Sequence, residues 1–322
     1  MNKQLVFIVT ALMWSFATTA AVQVPGPLVE PGWVAKNMKD IHILDVRKDV
    51  KSFTGKPVYK KDKKTKKQKL VKVKGHIPGA ALVNYKNVRG KKVIDGNKVT
   101  RVVPDGKAFE KLMRLAGLNK GDAVVIVSKG ETHADLTMAT RLYWTLKYYG
   151  HTNMTVLNGG TAQWIVDGNK TKSKATKFKK GNWSAGKANT ALIATSAEVE
   201  QASKGKAQLV DTRPVSQYLG TYNKSYVYAQ GHVAGAKNYP NELLAKPGIP
   251  ARLTTGKQTQ SLMKALNIDT GKSSITYCNS GHLATGSWFL MSEVLGNKNV
   301  KMYDGSMHQW TMEKRPTVDV TE

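Results

Sequence analysis

The chain holds a single cysteine, and its neighbours make it the first candidate for chemistry. Cys278 closes the apolar run Ser274-Ile-Thr-Tyr277 and opens the segment Asn279-Ser280-Gly281-His282-Leu283, after which Ala284 to Leu295 read as a helical stretch. This pattern predicts a buried strand, a tight loop with the sulfur at its mouth, and a helix behind it. Backbone N–H groups of such a loop, and the positive end of a helix dipole, stabilise a thiolate and bind anions. The chemistry on offer is nucleophilic catalysis by sulfur. A lone cysteine at a strand end can equally be a small buried hydrophobe, and the rest of the chain decides between the two.

The elements that must position Cys278 occur twice. Ile41-His-Ile-Leu-Asp45-Val-Arg47 is followed by Gly75-His76-Ile-Pro-Gly79-Ala80, and Gln208-Leu-Val-Asp211-Thr-Arg213 by Gly231-His232-Val-Ala-Gly235-Ala236. The apolar strands Ala123–Val127 and Ser274–Tyr277 come next, each ahead of a helix. Each half then closes on a segment of equal length, Gly150 to Trp164 and Gly296 to Trp310. Strands alternating with helices imply parallel sheets covered on both faces, so the fold class is α/β in two copies. The expected boundaries are residues 25–168 for the first domain, 169–191 for a linker without apolar period, and 192–322 for the second.

Residues 1–21 stand apart. Lys3, the apolar run Leu5 to Phe16 and the small residues Ala17 to Ala21 form the pattern of a secretory signal peptide, which predicts a periplasmic or secreted protein. One cysteine excludes an internal disulfide, and a thiol kept in an oxidising compartment points to reactivity. The formal charge is +28, from 50 Lys and Arg against 22 Asp and Glu. Export, and lysines gathered in low-complexity loops rather than among aromatics, argue against a nucleic-acid partner. Attraction of small anions or of anionic envelope surfaces fits better. The tract Lys56 to Lys74, with nine lysines between Lys60 and Lys74, reads as a solvated, mobile insertion that cannot pack.

The paired Asp-x-Arg and Gly-His-x-x-Gly-Ala motifs, the cysteine loop and the closing Gly-Gly or Gly-Ser segments with Trp164 and Trp310 resemble a tandem-domain rhodanese, a thiosulfate or 3-mercaptopyruvate sulfurtransferase. The resemblance covers nearly everything after residue 27. It implies two rhodanese-like domains, each a parallel sheet flanked by helices, with catalysis in the second. The first, carrying Ser128 or Lys129 where the second has Cys278, and a loop several residues longer, would be an inert wall of the cleft.

The implied reaction has the Cys278 thiolate take the outer sulfur of a small anionic donor as a persulfide and pass it to a thiol or cyanide. Asn279, Ser280, Gly281, His282 and Leu283 line the substrate site, and the N–H groups of residues 279–284 supply positive potential; no metal or cofactor is implied. Arg213 matches a position associated with donor binding and offers a planar fork to an oxyanion. Arg47 and Asp45 hold the same places in the inert half as Arg213 and Asp211, which also fits architecture. His76 and His232 read as braces of turns, Trp164 and Trp310 as core plugs, and His282 as turned outward to solvent.

Serine at 280 matches the mercaptopyruvate enzymes, whereas thiosulfate-preferring ones carry a basic residue there. Leu283 replaces the usual Thr or Arg. Export favours an inorganic donor. A rhodanese-fold phosphatase or arsenate reductase would need Arg six residues after the cysteine, where this chain has Ala284. A non-catalytic carrier of sulfane sulfur is the alternative of a different class.

Overall fold

The structure is a computed structural model that describes residues 22–320; the signal-peptide segment 1–21 lies outside the described residues. The first domain is built on a five-stranded sheet in which Leu28–Val29, Met154–Leu157, Ala123–Val127, Ile41–Arg47 and Ala81–Asn84 are neighbours in that order, all parallel. The second repeats the order with Val300–Met302, Ser274–Tyr277, Gln208–Asp211 and Lys237–Asn238, again all parallel. Ile193 bridges to Met302 where Leu28–Val29 sits in the first copy. The middle strands Ala123–Val127 and Ser274–Tyr277 are buried along their whole length, as expected of strands covered on both faces.

Two long helices join the domains. His133–Tyr148 is started by a capping box in which Thr132 and Asp135 satisfy each other's backbone. In the second domain the α-helix Ala284–Trp288 continues as a π-helical turn, Phe289–Val294. The pair pack face to face. The Thr140 and Thr285 hydroxyls lie 2.9 Å apart, Tyr143 donates its hydroxyl to Glu293 at 2.9 Å, and Lys147 meets the same carboxylate at 2.9 Å. Gly286 permits the approach: a Cβ there would lie 2.9 Å from Thr137 Cγ2 and 2.7 Å from Leu244 Cδ1.

The stretch 169–191 between the domains is irregular and lies along the first domain. Trp183 is buried and Phe178 packs against the first domain's core, while the N–H groups of Gly181, Trp183 and Gly186 bond to Arg114, Leu118 and Tyr149 carbonyls. One expectation needs correction: the lysine tract is not an unpacked loop. Val58–Lys61 and Gln68–Lys72 pair as an antiparallel hairpin. Its lysines face water, but Leu70 and Val73 are buried with Ala162 and Ile165. Two apolar side chains among many charges suffice to pin a hairpin whose cations stay solvated.

Leu70→Ala is expected to lower unfolding free energy by about 2 kcal/mol, the low end for a buried leucine, because the cluster it leaves is small. Lys63→Gln with Lys66→Gln should stay within about 0.5 kcal/mol, as exposed substitutions do. Urea denaturation of the two variants checks both.

Candidate active site

Strand register places Cys278. Asp45 pairs with Val127 and Asp211 with Tyr277, so the residue after each middle strand, Ser128 or Cys278, occupies the same structural position. Both stand at the carboxyl edge of a parallel sheet, the edge where open α/β sheets bind ligands. The first-domain loop, expected to be longer, is in fact shorter by one residue: its helix starts at His133, five after Ser128, whereas the second starts at Ala284, six after Cys278.

The extra residue lets the Cys278 loop open into a cradle. Gly281 turns it at φ +65°, and Cys278 itself is 1% exposed. Ser306 Oγ accepts the N–H groups of both Cys278 and Gly281 at 3.1 Å and donates to the Tyr303 carbonyl at 2.8 Å. Met307 and His308 donate their N–H groups to the carbonyls of Cys278 and Asn279 at 3.1 and 2.9 Å. Ser306 does this from φ +52°, a left-handed conformation costly for a residue with a Cβ. In the first domain Gly160 takes that place at φ +57°, where a Cβ would lie 2.2 Å from the Ser128 carbonyl. The hydroxyl that ties the Cys278 loop is thus sterically excluded from the Ser128 loop.

The floor under the cradle is built from both domains. Arg141, on the first-domain helix and fully buried, donates from Nη1 to the Gly281 carbonyl at 2.8 Å and to Asp304 Oδ1 at 2.5 Å. The other oxygen of Asp304 accepts the Val103 N–H at 2.5 Å. A Cβ on Gly281 would lie 2.5 Å from Asp304 Oδ1, so only glycine fits against this pair.

The predicted site residues divide. Cys278 and residues 279–283 form one loop, but the N–H of Gly281 is spent on Ser306 rather than on the sulfur. Asn279 is held by its side-chain amide, which donates to Gln217 at 2.6 Å. Ser280 is buried, and Leu283 packs against the main core. His282 is not turned out to solvent. Its ring lies on Tyr85 at a centroid distance of 4.9 Å, and Nε2 meets the Thr137 hydroxyl at 2.9 Å. Burial, with the charges of Arg89, Arg141 and Lys48 adding to it, pushes its pKa down to about 3. The imidazole is therefore neutral across the working range.

Arg213 departs furthest from expectation. It is buried, with Nε and Nη2 clamped on the Asp211 carboxylate at 2.6–3.0 Å and Nη2 also on the Gly231 carbonyl at 2.8 Å. Arg47 makes the same contacts to Asp45 and the Gly75 carbonyl. An arrangement repeated in the half without a cysteine has an architectural part: the guanidinium ties the strand end to the glycine turn through Nε and Nη2. His76 and His232 brace those turns, each donating Nδ1–H to a carbonyl 2.8 Å away and stacking on Phe53 or Tyr218 at 3.8 Å.

Ser306, Asp304 and Arg141 were missed by sequence reasoning. Aligning the repeats gives a signal for two of them, since Asn158-Gly-Gly160 faces Asp304-Gly-Ser306. Arg141 carries a weaker one, as a lone cation in the apolar run from Leu136 to Leu146.

The profile of the rhodanese-like domain matches residues 30–167 and 195–313. The chain belongs to the rhodanese-like domain family, with the domain in tandem. Its relatives include the sulfur carrier protein TtuD of Thermus thermophilus, 25% identical over 89% of this chain and 94% of that one. Thiosulfate sulfurtransferase of Corynebacterium glutamicum is 27% identical over 77% of this chain and 81% of its own length. Among solved structures, the fold is similar to that of SseA from Escherichia coli, titled a 3-mercaptopyruvate sulfotransferase, at TM-score 0.69 and 23% identity, covering 87% of this chain and 98% of that one. The protein is a sulfurtransferase, an enzyme that takes sulfur from a donor and hands it to an acceptor.

Four variants separate the roles assigned above. Ser306→Ala keeps the left-handed backbone and loses both loop hydrogen bonds, and is expected to destabilise by about 2 kcal/mol. Ser306→Gly relieves the strain and should recover most of that stability while sulfur loading stays slow. Arg213→Ala should cost about 3–5 kcal/mol by leaving the Asp211 carboxylate buried and unpaired, and Arg47→Ala a similar amount. Thermal unfolding measures both; a stable Arg213→Ala protein defective only in donor binding would restore the anion-gripping role.

Proposed function

We propose that Cys278 is the sulfur-carrying nucleophile and that thiosulfate is the donor. The Cys278 thiolate attacks the outer sulfur of thiosulfate, the sulfur–sulfur bond of the donor breaks, and its electron pair leaves with sulfite. The enzyme keeps a persulfide on Cys278. Cyanide or a thiolate acceptor then attacks the terminal persulfide sulfur, and the Cys278 thiolate is regenerated. Balance needs no external oxidant in either half.

The observation that carries this reading is the position of the chain's one thiol at the end of the middle strand, in a loop tied by Ser306 where the other repeat has glycine. The relative named for thiosulfate supports the donor. Ser280, buried and uncharged, favours mercaptopyruvate as a second donor to be compared. The likeness to the carrier TtuD favours a second reading of the acceptor half, in which the persulfide goes to a protein thiol. Residues 1–21 support export, to the periplasm or beyond, and the basic surface supports weak attraction to anionic envelope lipids. Among the described residues no helix is long and apolar enough to cross a membrane.

Incubation with thiosulfate should add about 32 Da, one sulfur atom, by intact-mass measurement, and cyanide should remove it as thiocyanate. Cys278→Ser should neither load nor turn over, because oxygen forms no persulfide. A protein that loads but yields to thiols and not to cyanide would be a carrier. Loading from mercaptopyruvate alone would overturn the choice of donor.

A further inference from the structure

The second domain supplies the sulfur, yet the arginine expected to grip the donor there is spent on Asp211. Arg213 still lies close enough to feel the charge of Cys278, and two further cations at the cysteine loop come from the other domain. Arg141 is fully buried, and while Nη1 is engaged, its Nε and Nη2 have no hydrogen-bond partner. Arg89 has its Nε buried without a partner, stands over the Tyr85 ring at 4.7 Å, and makes no ion pair among the described residues. The Tyr85 hydroxyl is buried without a partner as well.

Several groups meet at Tyr85. Its phenol feels the charges of Arg89, Arg141, Cys278 and Asp304, and burial, the largest influence, raises its pKa to about 12, so at neutral pH the hydroxyl is a donor. Its ring also meets His282 of the cysteine loop at 4.9 Å. Asp304 cancels one of the two guanidinium charges and leaves the other uncompensated. Buried donors of this strength are rarely left unpaired, since the cost is about 1–3 kcal/mol each and more when charged. The guanidinium nitrogens can only donate and the Tyr85 hydroxyl is free to donate, and although Asn279 Oδ1 in the cysteine loop is a buried acceptor without a partner, these donors together suit an anion with several oxygens.

We propose that the first domain is the donor-binding half of the active site, with Arg141, Arg89 and Tyr85 holding the oxyanion end of the sulfur donor while Cys278 takes its outer sulfur. The inference rests on the sulfurtransferase reading above and assigns to the domain without a nucleophile the recognition of a sulfonate- or carboxylate-bearing substrate. The fork of Arg141, fixed by Asp304 and the Gly281 carbonyl, presents its other edge without further ordering.

The test uses Tyr85→Phe, which removes a hydroxyl that nothing in the protein uses, Arg89→Met, and the pair combined. Arg141→Lys is a fourth variant, read only if its melting temperature is retained. Each is assayed for loading by thiosulfate, for removal of the loaded sulfur by dithiothreitol, and for alkylation of Cys278 by anionic iodoacetate and neutral iodoacetamide. Tyr85→Phe and Arg89→Met should each slow thiosulfate loading at low donor by about tenfold, the loss of one charge-assisted hydrogen bond. Iodoacetate alkylation should fall in parallel, while dithiothreitol and iodoacetamide rates stay within about twofold. Unchanged thiosulfate and iodoacetate rates in the double variant would overturn the proposal, as would an equal fall with the neutral reagents. Failure of the unaltered protein to load from thiosulfate would sink the donor assignment instead. The ratio of iodoacetate to iodoacetamide rates would still decide whether the anion pocket exists.

Discussion

The contact on which the rest depends is the ion pair between Arg141 of the first domain and Asp304 of the second, 2.5 Å apart and closed to water. Burying two charges is expensive, and mutual attraction repays it only when their other donors and acceptors are met. Here Asp304 also takes the Val103 N–H and Arg141 Nη1 the Gly281 carbonyl, while Arg141 Nε and Nη2 stay unpaired. The pair therefore fixes three things together: the angle between the domains, the turn of the cysteine loop and the start of the Ser306–Met312 helix. In the other repeat Asn158 stands where Asp304 does and accepts the Leu253 N–H from the opposite domain at 3.0 Å. The two-fold relation between the domains survives there without charge.

The fold was legible because parallel strands announce themselves. Ala123–Val127 is apolar throughout and Ser274–Tyr277 carries only small or β-branched polar residues between its apolar ones, and the duplicated Asp-x-Arg and Gly-His motifs marked the same elements twice over. Cys278 was legible for a related reason: only one thiol exists, and it follows a strand. The loop after Ser128 was misjudged because its helix begins within the Thr132–Asp135 capping box, which a count of apolar residues places too late. The lysine tract was misjudged because nine charges hid the two buried side chains, Leu70 and Val73, that decide its structure.

The roles of the site's charges were not legible, and the cause is physical. An Asp-x-Arg pair at a strand end has the same sequence whether the guanidinium faces a ligand or closes on its own aspartate. Only the 2.6–3.0 Å clamp and the Gly231 carbonyl distinguish them. Arg141 and Tyr85 lie well over a hundred residues before the cysteine, so no local spacing relates them to it. Asymmetry between two similar halves resides in such long-range groups, while the repeated motifs report what the halves share.

The way the cradle is assembled bears on synthesis. Arg141 lies early in the chain, Cys278 late, and Asp304 and Ser306 later still, about thirty residues behind the cysteine. The stretch that docks Phe178 and Trp183 completes the first domain's core before any part of the second is made. A ribosome-bound or truncated chain that already exposes its thiol still lacks the hydroxyl and carboxylate that shape the loop around it. The nucleophile emerges as an ordinary cysteine, and its reactive setting exists only once the last strand and helix have closed upon it.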